Sequence, residues 1–222
     1  MIKKSLFISL HPHTLIYTQI PMINDPKPSA SVLERLEKAE QLKLMGQHSE
    51  ALDILVELLA EDPQNISALE EIADNELSMD HHGRAKKAAK QAIALDENSY
   101  TGHYILGFLH SQKEEWPQSL KYLQKANAIK SNNPEILRCL GWALFNGGQR
   151  TQGIVTLERA LNLDSENPLT LCDLGVTHLQ IKNFTKAKSL FLRALDLDPK
   201  NIRAKECVEA VERLEKVMTT KK

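Results

Sequence analysis

The chain is poor in cysteine, aromatics and net charge, and each shortage excludes something. The three cysteines, Cys139, Cys172 and Cys207, stand at none of the short spacings that hold a metal or mark a redox pair. They read as small buried or groove-lining thiols in a reducing compartment, which points to the cytoplasm. A net charge of −1 over 222 residues offers no global attraction for nucleic acid or an anionic membrane. No run approaches the roughly 18 apolar residues of a membrane span. Lys3 and Lys4 precede the short apolar run Ser5–Leu10, but His11-Pro12-His13 ends it before the roughly 7–15 residues of a secretory signal.

Catalytic motifs are missing too. There is no phosphate loop, nucleophile elbow or metalloprotease helix. His81 and His82 are adjacent, so they cannot share a helical face, and no third ligand follows at a recognised spacing. Acidic pairs such as Glu70 and Asp74 lack a partner base. Lys182, Lys186, Lys188 and Arg193 make a small patch, not a basic stripe interleaved with aromatics. No catalytic residue, cofactor, metal site, nucleic-acid surface or membrane span is expected.

What is present is a period. Residues 32–201 divide into five gapless blocks of 34: 32–65, 66–99, 100–133, 134–167 and 168–201. Position 8 of the blocks reads Ala39, Ala73, Gly107, Gly141, Gly175. Position 20 reads Ala51, Ala85, Ser119, Gly153, Ala187, and position 27 reads Leu58, Ala92, Ala126, Ala160, Ala194. Small residues at fixed offsets let helices approach closely, with larger residues at 7, 24 and 28 filling the space between. Asn133-Pro134 and Asn167-Pro168 are start signals, an Asn cap followed by Pro in the first turn. Ser31 with Glu34 forms a capping box for the first helix. Asp62-Pro63 and Asp198-Pro199 sit where a second helix must end. The pattern predicts helix A over positions 1–14 and helix B over 17–30, turning at position 15 through Gly46, Gly148 and Lys182. Residues 202–222 read as a capping helix and basic tail, with an apolar stripe at Ala204, Val208, Val211 and Leu214. Residues 1–31 read as a leader; residues 1–21 are expected to be disordered or to precede a true start at Met22.

This period, the small-residue positions and the terminal Leu197-Asp198-Pro199 resemble the tetratricopeptide repeat. The last block is the nearest match, with Leu174-Gly175, Phe184, Ala187, Phe191 and Ala194-Leu195. The resemblance implies an all-α, right-handed α-solenoid of helix-turn-helix units whose A helices line a concave groove. It also implies a binding scaffold rather than an enzyme, with protein or peptide ligands. Glu97, Ser131 and Ser165 replace the usual Pro at position 32, and His82 replaces the usual aromatic at 17.

By that resemblance, positions 2, 5, 9, 12 and 13 face the groove. Blocks one and two put Glu40, Lys43, Ser67, Glu70, Asp74 and Ser78 there, and together they carry a charge of −8. Blocks three to five put Tyr104, Phe108, Arg138, Trp142, Phe145, Cys172, Val176 and Leu179 there, and carry +3. Seven of the 11 aromatics fall between residues 100 and 145. Three readings account for them: a partner-binding apolar groove with Arg138 as polar anchor, ordinary packing, or a groove filled by Leu15–Ile20 of the leader. Position 9 is usually polar in the family, which favours the first reading through Phe108 and Trp142. His110 and His178 share position 11, an interior slot, and read as partly buried packing.

The grip that some family members exert on the C-terminal carboxylate of heat-shock proteins needs Lys and Asn at positions 5 and 9. Here those positions offer Leu36 and Glu40, Glu70 and Asp74, or Tyr104 and Phe108, and carboxylates repel an acidic tail. The expected function is a scaffold that holds a peptide or helix of a partner protein, through an apolar or amphipathic segment. The alternatives are a chaperone resembling those of type III secretion, or a self-associating assembly factor.

Overall fold

The computed structural model describes residues 31–219, with side chains to residue 216. The leader, Met22 and the Leu15–Ile20 segment lie outside the described residues. All regular structure among the described residues is helical. The helices are α1 (Val32–Leu44), α2 (His48–Glu61), α3 (Ile66–Ser78), α4 (His82–Leu95), α5 (Tyr100–Gln112), α6 (Trp116–Ile129), α7 (Pro134–Asn146), α8 (Arg150–Leu163), α9 (Pro168–Gln180), α10 (Phe184–Leu197) and α11 (Ile202–Thr219). Up to α10, odd helices are the A helices and even ones the B helices, each A helix 13 residues long and each B helix 14. Helix A therefore ends one residue sooner than the pattern predicts.

The punctuation has a common chemistry. Position 34 caps the next helix every time: the side chains of Asn65, Ser99, Asn133, Asn167 and Asn201 accept from the backbone amides of Ala68, Gly102, Ile136, Thr170 and Ala204 at 2.9–3.0 Å. These bonds satisfy amides that a helix start leaves without partners. The turn at position 15 is left-handed throughout. Gly46 and Gly148 adopt φ of +76° and +96°, and Asp80, Glu114 and Lys182 hold φ of 58° to 64° in spite of their Cβ atoms.

Small residues set the spacing between A and B helices. The tightest crossing is α7 on α8. A Cβ on Gly153 would lie 2.5 Å from the Phe145 backbone nitrogen, and one on Gly141 would lie 2.9 Å from that of Leu157. Leu55, Leu123, Leu157 and Phe191 fill the next layer and are fully buried. Beyond the last pair, α11 packs on α9 and α10, with Ala204 and Val211 buried.

Curvature follows from who touches whom. Each A helix contacts the next A helix, and α9 contacts α11 in the same way, whereas no B helix among the described residues contacts the next B helix. The A helices are crowded on the inside of the bend and the B helices spread on the outside. The A-helix face is therefore concave.

Candidate functional site

The concave face carries two adjoining cavities. One, of about 360 Å³, is walled by Phe108 and Ser111 of α5, Trp116 of α6, Arg138 and Trp142 of α7, Asp173 of α9 and Arg203 of α11. The other, of about 230 Å³, is walled by Glu40 and Lys43 of α1, Glu71 and Asp74 of α3, Tyr100 and Tyr104 of α5, and Glu135 of α7. Helix α5 joins them: the rings of Tyr104 and Phe108, one turn apart, stand 6.5 Å centroid to centroid.

A chain of charged groups runs beneath the aromatic cavity. The Tyr104 hydroxyl donates to Glu135 Oε1 at 3.0 Å. Arg138 donates through Nε to Glu135 Oε2 at 2.9 Å, and through Nη2 to Oε1. Its Nη1 donates to Asp173 Oδ2 at 2.6 Å, and Arg203 Nη2 lies 3.1 Å from Asp173 Oδ1. Asp173 and Arg138 keep only 5% and 12% of their side-chain surface in solvent, so the pairing is largely desolvated. Burial alone would push the Glu135 carboxyl up. The hydrogen bonds and positive charge of Arg138, with the bond from Tyr104, outweigh it and hold Glu135 below the usual carboxylate range. Burial raises the Tyr104 phenol, the Cys139 thiol and the Cys172 thiol, the last to about 11, so neither thiol is poised to react.

Of the residues that the sequence places in the groove, the structure brings Phe108, Arg138 and Trp142 together on one cavity and puts Tyr104 on the other. Val176 and Leu179 are partly buried against the core between α9, α10 and α11. Phe145 and Cys172 are 1% exposed and take no part in the surface. Phe145 sinks because glycine at both 141 and 153 lets α8 close over its backbone. Cys172 is walled in by the core it shares with Leu171 and Phe191. Arg138 is no free anchor, being held by two carboxylates already. Trp116, Asp173 and Arg203 line the cavity without having been among the candidates. Signals for two of them exist: Trp116 stands at position 17, and Arg203 at position 2 of a sixth, incomplete unit.

In the acidic cavity, Lys43 Nζ lies 2.9 Å from Glu71 and 2.7 Å from Asp74. On the neighbouring α3 turn, Glu70 is half-buried and accepts from Ser99 Oγ at 2.6 Å. Desolvation raises its pKa, against that hydrogen bond.

Stacked helix-turn-helix units with an inner groove define a class, the α-solenoid of helical repeats. Within it, the tetratricopeptide-repeat family's own sequence pattern matches residues 170–201. The chain has the tetratricopeptide-repeat fold, and its fifth repeat carries that pattern. It is 26% identical over 120 residues to anaphase-promoting complex subunit 3 of Schizosaccharomyces pombe, covering 54% of this chain and 18% of the relative. A thermophilic tetratricopeptide-repeat protein of Thermus thermophilus superposes with a TM-score of 0.66 at 20% identity, over 81% of this chain and 97% of that one. YrrB, a tetratricopeptide-repeat protein with an unusual peptide-binding site, superposes with a TM-score of 0.56 at 20% identity, over 81% and 92%. These likenesses concern the fold. The chain spans about a third or less of the length of the curated relatives it matches.

Proposed function

We propose that this protein is a non-catalytic scaffold whose concave groove holds a peptide or helix of a partner protein. The observation that carries the reading is the cavity of about 360 Å³ in which Phe108, Trp116 and Trp142 converge from three helices. Half-buried aromatics around an open concavity are the usual anchors of binding energy. An amphipathic helix or extended segment buries its apolar side chains in such a groove. Within the tetratricopeptide-repeat class, YrrB is a peptide-binding precedent. The acidic lining from Glu40 to Asp74 argues against the C-terminal carboxylate of a heat-shock protein as ligand. A chaperone for secreted substrates would use the same groove. The reducing, cytoplasmic setting is part of this proposal, and buried Cys139 and Cys172, both free thiols, support it. Among the described residues, no helix is long and apolar enough to cross a membrane.

The test is affinity capture with the full chain and a Phe108→Ala/Trp142→Ala double variant, identifying partners by mass spectrometry. Partners held by the wild type are expected to disappear with the variant, while helicity and oligomeric state stay unchanged. Recovery of the same partners by the double variant sinks the groove reading. Self-association is favoured by one separate observation, the strong exposure of Leu33, Leu44 and Met45 at α1 and its end. Light scattering decides it, because a strict monomer across concentration removes it.

A further inference from the structure

We infer that the groove selects for positive charge: its ligand carries a basic residue close to a bulky apolar one, the first entering the acidic cavity and the second the aromatic one. This rests on the groove reading above and adds to it the chemistry of the partner.

The two cavities differ in charge although α5 and α7 contribute different residues to both. The acidic cavity sets four carboxylates, Glu40, Glu71, Asp74 and Glu135, against the ammonium of Lys43. Counting Arg138, which reaches Glu135 from the neighbouring cavity, and Lys130, which stands against Tyr100, still leaves one negative charge in excess. The aromatic cavity is balanced, Arg138 and Arg203 against Glu114 and Asp173, so its rings and not its charge choose the occupant. A concave, partly desolvated surface focuses the field of that excess on whatever enters. A basic side chain is drawn in there and an acidic one is repelled.

The protein's own cations already mark these walls as acceptors of positive charge. Lys130 Nζ stands 4.1 Å from the centroid of Tyr100 in the acidic cavity, and the Arg203 guanidinium stands 6.0 Å from that of Trp142 in the aromatic one. The α5 wall also sets a spacing. The 6.5 Å between Tyr104 and Phe108 corresponds to about two residues of an extended strand, at roughly 3.3 Å each. It also matches the roughly 5–6 Å between side chains one turn apart on a helix.

The experiment uses the full chain and two labelled amphipathic peptides that are alike in their aromatic and aliphatic residues. One carries arginine where the other carries glutamate, and fluorescence anisotropy reads their affinities. The arginine peptide is expected to bind about tenfold or more tightly at low salt, with the advantage shrinking toward 1 M salt as the screening length falls to about 3 Å. Glu40→Lys, on an exposed position of α1, is expected to weaken the arginine peptide about threefold while leaving the glutamate peptide no weaker. Trp142→Ala is expected to weaken both, and the bulkier replacement Trp142→Leu less so. Equal affinities that Trp142→Ala abolishes would overturn the charge selection and leave the groove reading intact. Binding of neither peptide would overturn the selection as well. Binding indifferent to both Trp142→Ala and Phe108→Ala would overturn the groove reading along with it.

Discussion

The Arg138 guanidinium lies 2.6 Å from the Asp173 carboxylate, across the boundary between the fourth and fifth repeats and nearly out of solvent. Asp173 also holds Arg203 of α11, so one carboxylate ties two repeats and the capping helix together. Asp173→Asn should therefore cost about 3 kcal/mol, because it leaves buried positive charge short of a partner. Arg203→Ala should cost less than about 1 kcal/mol, since Arg203 is half-exposed and its attraction is screened. Chemical denaturation of the two variants checks the ranking, and equal losses would contradict it.

The crossing of α7 on α8 makes a sharper demand. Gly153→Ala presses a methyl group against the Phe145 backbone at 2.5 Å, which no rotamer change can relieve, and should cost about 3 kcal/mol. Gly175→Ala meets the Phe191 ring at 2.5 Å, a side chain able to shift, and should cost about 1–2 kcal/mol. Thermal melts compare them directly; the reverse order would refute the assignment of backbone contact.

Position 15 offers the opposite outcome. Lys182 holds φ at 64°, a conformation that costs a residue with a Cβ about 1–2 kcal/mol. Lys182→Gly removes that cost and loses part of it again to unfolded-chain entropy, a net gain of about 0.5–1 kcal/mol. A lower melting temperature in the variant would show that the lysine side chain contributes more than its backbone strain.

His178 should make the fifth repeat sensitive to acid. Both its ring nitrogens are buried without a hydrogen-bond partner among the described residues. Burial lowers its pKa below 6.5, the nearby charge of Lys186 lowers it further, and Glu158 opposes them. The unfolded chain then takes up a proton that the folded chain refuses. Stability is intact above about pH 6.5 and erodes as the pH falls toward 5, before the Glu135 carboxylate begins to protonate. Denaturation midpoints measured across that range should fall more steeply for the wild type than for His178→Leu. Parallel slopes would remove His178 from the account.

The period, the small-residue crossings and the Asn caps were legible in the chain, because each is local chemistry repeated at a fixed offset. Depth was not. Position 12 told that Phe145 faces inward from α7, but its burial depends on how far α8 approaches, which the glycine pair at 141 and 153 decides. Position 5 likewise placed Arg138 and Cys172 on the inner face without showing that Asp173 claims the first and the α9–α10–α11 core encloses the second. Partnership across 35 residues is a product of stacking, and no spacing within one unit encodes it.

The claim that the concave face of repeats three to five is the binding surface is tested most directly by hydrogen exchange. The full chain would be measured with and without a partner that depends on Phe108 and Trp142 for capture. Protection is predicted along α5, α7 and α9 and at the start of α6, with the outer helices α8 and α10 unchanged. Protection confined to the outer helices or to α1 would contradict it.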